Sequence, residues 1–258
     1  MKDCNGSEQV KQWLFKTGLP LELEATAAFN AAGFGSEHSS IYVDPETQKG
    51  REIDFIAHTW DPIGLVQVYV VGECKSSSNP WVVFKNPEQY SHLTYFSLGV
   101  ITQGTLEGID HTLITNSSIT PLLKATHVGG YSVRQAFSKD NDQAYAAAIA
   151  ALKAAYTLVN NEDHVTKRLA FAMPVLVVDS PIFECSLDKA GQIQLKQVPS
   201  SEFMFTAMIP KRTKACIRIV SREVLPQFAS HCFLVAEAIK AELDYKVQEW
   251  IASIKART

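Results

Sequence analysis

The sequence has no run of about eighteen consecutive apolar residues, so it offers no transmembrane helix. Its opening residues, Met1-Lys2-Asp3-Cys4-Asn5-Gly6, lack the apolar stretch of a secretory signal. Five scattered cysteines (Cys4, Cys74, Cys185, Cys216 and Cys232) form no CxxC pair and leave an odd one over. No disulfide framework is expected, and the thiols read as reduced and buried in a cytosolic protein. Glycine and proline are sparse, 13 and 11 residues, which excludes a collagen-like or disordered chain. A net charge of −3 gives no whole-molecule attraction for nucleic acid, so such a partner has to be met by a local patch. The seven histidines show no HxxxH or HxH spacing for zinc, and neither a GxSxG elbow nor a GxxxxGK[ST] loop occurs. What remains is a chain of 258 residues, 46% apolar and 20% charged, long enough to bury a substantial core.

Periodicity organises that chain. Apolar positions Leu21, Ala25, Ala28, Phe29 and Ala32 follow helical spacing, with Pro20 at the start and Gly33 and Gly35 as the stop. Strands are expected at Ser39 to Val43, Arg51 to Trp60 and Leu65 to Lys75, the last almost continuously β-branched or aromatic. Asp61-Pro62-Ile63-Gly64 fits a type I turn between the last two. A helix begins at Asp142, with Tyr145, Ile149, Leu152, Tyr156 and Val159 expected on its buried face. A buried strand follows at Leu169 to Val178, then a hairpin with arms Ile182 to Leu187 and Gln192 to Val198, and another strand at Cys216 to Val220. One long amphipathic helix is expected from about Pro226 to Ala256. The sequence reads as a single α/β domain, 1–258, with a core at about 17–180, an insertion at about 76–140 and a C-terminal extension from 181.

Asp54, Glu73 and Lys75 are charged residues in otherwise apolar strands, where burial without a partner costs several kcal/mol. If the turn pairs Asp61 with Gly64, Asp54 faces Val71, and Asp54, Val71, Glu73 and Lys75 share one face of the sheet. Glu73 is then the diagonal neighbour of Asp54, about 7–8 Å away at the backbone. Two carboxylates so spaced can converge on one divalent cation, with a lysine on the same face to meet a bound oxygen or an anionic substrate.

Asp54, eighteen intervening residues, and then Glu73-Cys74-Lys75 resemble the D…(D/E)xK signature of the PD-(D/E)xK, or restriction-endonuclease-like, nucleases. The helix before them is similar to that of Holliday-junction-resolvase-like and Mrr-like members, in which a glutamate stands eleven positions before a Gly-aromatic end. Glu22 stands eleven before Gly33-Phe34, and Glu24, nine before, is the reserve. Ile53 stands where many members carry proline, and the stretch 76–140 has no counterpart in the pattern. The resemblance implies an αβββαβ core, with a central mixed sheet flanked by helices, carrying an insertion and a C-terminal hairpin plus long helix. It implies Asp54 as the main Mg²⁺ ligand (Mn²⁺ substituting), Glu73 as a second and the Cys74 backbone carbonyl as a third. Lys75 would orient or deprotonate the attacking water, and Glu22 would hold water or a second metal. The expected activity is hydrolysis of DNA phosphodiester bonds by a cytoplasmic enzyme, as a homodimer or with a specificity or helicase subunit. A catalytically silent binding protein of the same fold, and a nuclease for RNA or for branched or modified DNA, stay open.

Further nucleic-acid contacts are expected at Arg51, Ser76 and Gln89 and at the basic cluster Lys211, Arg212 and Lys214, with Arg218 and Arg222 beyond it. Trp81 and Phe84 suit either base stacking or a core. His58 reads as a core or hydrogen-bonded histidine, and the adjacent pair His231-Cys232 as structural, because neighbouring helix positions do not face each other.

Overall fold

The computed structural model describes residues 3–86, 99–109, 129–138, 143–160 and 168–256. Helix α1 (Asp3–Leu14) leads into helix α2 (Leu19–Ala32), which has proline in its first turn and stops at Gly33. Gly33 turns the chain at φ 113°, and the Phe34 N–H returns to the Phe29 carbonyl at 3.1 Å. Strands β1 (Gly35–Val43), β2 (Gly50–Trp60) and β3 (Val66–Lys75) then run as an antiparallel meander.

The stretch expected as an insertion contributes β4 (Trp81–Lys85), β5 (Val100–Ile101), helix α3 (Gln103–Gly108) and β6 (Gly130–Gln135). Helix α4 (Gln143–Val159) crosses to β7 (Leu169–Val178), which lies parallel to β3 along its whole length. The hairpin β8 (Ile182–Leu187) and β9 (Ile193–Val198) forms as expected, its turn held by Asp188 Oδ1 accepting the N–H groups of Ala190 and Gln192. The chain ends with β10 (Ser200–Ile209), β11 (Lys211–Ser221), α5 (Leu225–Glu242) and α6 (Asp244–Lys255).

The central sheet is mixed, in the order β1-β2-β3-β7-β11-β10, with β5 pairing beside β7. A second sheet, β6-β4-β8-β9, packs its Trp81, Val83 and Ile182 against the start of α4 and against β7, β10 and β11. Every residue of β7 is buried, as a parallel strand covered on both faces requires. One face of the central sheet carries α2 and α5, through Phe29, Phe55, Val68, Phe228 and Val235. The other carries α4, through Leu152, Ala154 and Ala155 over Ile56 and Val71. The Phe29 ring, 5.3 Å from that of Phe55 and 6.4 Å from that of Phe228, fastens α2 to both sheet and helix. Burial of such a ring is worth about 1.5–3 kcal/mol. No helix among the described residues is long and apolar enough to cross a membrane.

Three expectations change. The buried face of α4 is made by Ala144, Ala147, Ala148, Ala151 and Ala155 with Leu152 and Val159, while Tyr145 is half exposed and packs edge-on to Phe205. Small side chains let the helix axis approach the sheet closely, which a tyrosine face does not. The expected C-terminal helix is two helices, because the backbone turns at the buried Leu243, φ −92° and ψ 1°. The β2–β3 register runs through Phe55↔Gly72, so Asp54 does not face Val71; Ile56 does. The slip of two comes from Asp61, whose N–H reaches the Val66 carbonyl while its carboxylate takes the Val66 N–H at 2.6 Å. A slip of two preserves the faces of the paired residues.

Candidate active site

The β2–β3 ladder ends at Phe55↔Gly72. Asp54 and Glu73 are the next residues of their strands beyond it, and both carboxyls reach Lys75 within 4 Å. The strands part here, and Asp54 Oδ2 accepts the Cys74 N–H at 2.6 Å where a backbone carbonyl would otherwise serve. The local backbone is irregular: Ile53 and Ile56, three residues apart, both enter the core beneath α4, and Ser39, which the β1–β2 register sets opposite Asp54, has φ 48°. Gly72 is required beneath the site, since a Cβ there would lie 2.0 Å from the Phe55 ring.

Lys75 Nζ lies 2.5 Å from Glu73 Oε2 and 3.5 Å from Asp54 Oδ2. The Glu73 side chain is 9% exposed, that of Asp54 20% and that of Lys75 29%, so the group is largely buried. Glu22, in the first turn of α2, feels the charges of Asp54 and Lys75. Burial and the charge of Asp54 raise its carboxyl, while Lys75 pulls it back. Burial pushes Glu73 up to about 7 against the pull of Lys75, with Asp54 and Glu22 adding to the rise. Burial alone would lower Lys75, but Glu73 and Asp54 hold it above the ordinary lysine value, so it is an ammonium. The Cys74 thiol is pushed up, chiefly by burial, and stays protonated.

Two carboxyls thus meet one ammonium and a third, Glu22, is coupled to them electrostatically, leaving two negative charges in excess when all are ionised. Among the described residues no group of three or more histidine, cysteine, aspartate or glutamate side chains is gathered tightly enough to hold a metal ion. Asp54 and Glu73 alone nevertheless suit Mg²⁺, which takes hard oxygen donors and is commonly held by one or two carboxylates, the rest of its shell being water and phosphate.

The other expected residues divide. Glu24 is engaged elsewhere, in a two-pronged ion pair with Arg222, which leaves Glu22 as the glutamate electrostatically coupled to Asp54 and Lys75. Ser76 donates its hydroxyl to Asp179 Oδ2, and the Ser77 N–H reaches Asp179 Oδ1 at 2.9 Å, tying the end of β3 to that of β7. Arg51 stands 4.0 Å from Asp44 Oδ2 at the edge of the site. Gln89 lies outside the described residues. Lys211, Arg212 and Lys214 are exposed at the start of β11, whereas Ser221 at its end is level with Lys75 through Val178. Seven residues of strand put Lys214 about 23 Å from that level, so the basic cluster is not brought to the site. Arg218 is buried between β11 and α5. Trp81 is fully buried and belongs to the core. His58 stacks on Trp60 at 4.5 Å, toward the far end of β2, and Cys232 is buried with its thiol pushed up to about 12 by burial.

Tyr42 escaped the sequence reading. It lies buried beside the group, and burial with the charges of Asp44 and Glu73 pushes its hydroxyl up to about 12. Its approach to Glu73 depends on the β1–β2 turn, which local pattern does not encode. No protein-family model, curated protein or solved structure matches the chain.

Proposed function

We propose that the chain is a divalent-metal-dependent nuclease that hydrolyses phosphodiester bonds of DNA. In this reading α2, β1, β2, β3, α4 and β7 are the αβββαβ core of a restriction-endonuclease-like fold. The observation that carries it is the convergence of Asp54 and Glu73 on the Lys75 ammonium at the point where β2 and β3 part, with Glu22 coupled to them electrostatically. A bound Mg²⁺, held by the Asp54 and Glu73 carboxylates and the Cys74 carbonyl, would neutralise charge at the scissile phosphate and acidify a water.

The side chains divide the remaining work. Lys75 carries a proton already, so its part is to orient the attacking water and to balance negative charge developing on the phosphate. Glu22, whose carboxyl is raised above the ordinary range, is the group able to take the proton from that water. Asp54 is held in place by the Cys74 N–H.

The test is incubation of the purified chain with plasmid, single-stranded DNA and RNA, each with Mg²⁺, Mn²⁺ or EDTA. DNA cutting that EDTA abolishes supports the proposal. Cutting confined to RNA moves the substrate class, and tight binding without product under every metal makes the chain a silent member that binds nucleic acid. Gel filtration alongside shows whether it acts as a homodimer or awaits another subunit.

A further inference from the structure

We propose that the chain carries a second binding site, for a free aliphatic amino acid, where the second sheet meets β10, β11 and α5. Among the described residues a pocket of about 240 Å³ is bounded there by charges of both signs, Lys85 and Arg218 against Glu184 and Glu202. A cavity of about 150 Å³ holds benzene, so this one has room for about ten non-hydrogen atoms. The site is separate from the carboxylate–lysine group. Val220 of β11 pairs with Val177 of β7, and Val177 with Cys74 of β3, so the pocket's strand and the strand of Lys75 are two spacings, about 10 Å, apart.

The join between the two sheets builds the pocket. Lys85 ends β4, where the β4–β6 ladder shifts its register. Its Nζ lies 3.1 Å from Glu184 Oε1 on β8 and donates to the Glu202 carbonyl on β10 at 3.2 Å. Ser201 donates its hydroxyl to the same Glu184 Oε1 at 2.7 Å. Gly130 lets β6 sit directly on β10, since a Cβ there would stand 2.1 Å from the Glu202 carbonyl oxygen. Arg218 faces Glu202 across the β10–β11 ladder and is 3% exposed. Val220 and Phe228, both buried, line the pocket with it, while Ser200 is exposed and Glu184 and Glu202 are half-buried. A guanidinium and two apolar side chains thus form a buried floor beneath a rim that carries two carboxylates.

That chemistry selects the occupant. Lys85 and Ser201 both engage Glu184 Oε1, and among the described residues Glu184 Oε2 and the Glu202 carboxylate accept no hydrogen bond. An ammonium, with three donors, answers both. At the floor the planar guanidinium of Arg218 suits a carboxylate, which such a group grips through two parallel N–H bonds. Val220 and Phe228 receive hydrocarbon. A lone anion would meet two carboxylates and a lone amine a buried guanidinium, and like charges brought together repel. Ammonium, carboxylate and a short apolar chain within about ten atoms describe an α-amino acid.

The experiment is isothermal titration calorimetry of the purified chain with L-leucine, set against leucinamide, which lacks the carboxylate, and isocaproate, which lacks the ammonium. L-Leucine should bind, and each analogue should bind about tenfold more weakly or worse. Arg218→Met removes the charge at the floor and Glu202→Gln one at the rim; each should weaken leucine binding about tenfold or more. Glu202→Gln alters a half-buried side chain only, so it reads the site even where Arg218→Met fails to fold. No binding of leucine, an analogue that binds as tightly, or an affinity unchanged by either substitution in a folded chain would overturn the proposal. The titration uses neither DNA nor metal, so its outcome is independent of the nuclease reading.

Discussion

The Asp54 carboxylate accepts the backbone N–H of Cys74 at 2.6 Å, so one side chain both closes the β2–β3 ladder and presents itself to the site. The two roles separate by substitution. Asp54→Asn keeps an oxygen for the Cys74 N–H and should leave stability near that of the unaltered chain while abolishing cleavage. Asp54→Ala strands a half-buried donor and should cost about 1–3 kcal/mol as well. Urea denaturation of both variants, set against plasmid nicking, checks the pair.

Glu73 makes stability depend on pH. In the folded chain it is pushed up to about 7, above about 4.3 for an unfolded glutamate. Between those values the folded state binds more protons than the unfolded one, so its stability falls as pH rises through that window. Glu73→Gln removes the dependence. The unaltered chain should therefore lose thermal stability relative to the variant between about pH 5 and pH 8 in EDTA. A constant difference across that range would contradict the assignment.

Asp44 and Lys153 test the fold independently of the chemistry. Lys153 Nζ, 13% exposed at its side chain, reaches Asp44 Oδ2 at 2.9 Å and Glu46 Oε2 at 2.5 Å, fastening α4 to the β1–β2 turn. Burial alone would raise the Asp44 carboxyl, but hydrogen bonds from Lys153 and from the Glu46 and Thr47 N–H groups hold it below its ordinary value. Asp44 thus contributes stability above the unfolded carboxylate value, and this is lost as pH falls through its lowered folded value. Lys153→Met should cost about 3–5 kcal/mol at neutral pH by leaving a buried carboxylate without its ammonium. It should also shift acid unfolding to higher pH. Denaturation midpoints from pH 3 to pH 7 read both effects.

Gly72→Ala should disturb the site through packing. The added Cβ meets the fully buried Phe55 ring, and neither can withdraw without moving β2 against β3. A destabilisation of about 1–3 kcal/mol is expected, with reduced cleavage because Asp54 and Glu73 follow those strands. Adding Phe55→Leu should recover part of both losses; thermal melts and nicking rates of the single and double variants decide it.

The sequence was legible where neighbouring residues alone settle the outcome. The apolar run from Leu65 to Lys75 and the turn signal at Asp61-Pro62-Ile63-Gly64 marked the β2–β3 hairpin, at whose parting end Asp54 and Glu73 both reach Lys75. It was illegible where distant partners decide. Leu243 turns without glycine or proline, because packing of the buried leucine sets the angle, and the apolar stripe from Ile239 to Val247 continues on either side. Alanines supply most of the packing face of α4, where Tyr145 and Ile149 were expected. Strand β10, beginning Ser200-Ser201-Glu202, carries a weak pattern of its own and is defined by its pairing with β11. The Glu24–Arg222 pair spans 198 positions and could only be seen folded.

The most direct test of the central claim is nicking of supercoiled plasmid by the unaltered chain and by Lys75→Ala, side by side in Mn²⁺. The unaltered chain should convert plasmid to the nicked form and stop on addition of EDTA, whereas the folded variant should leave it supercoiled. Equal nicking by both proteins, or nicking that persists in EDTA, would contradict a metal-dependent site built on Asp54, Glu73 and Lys75.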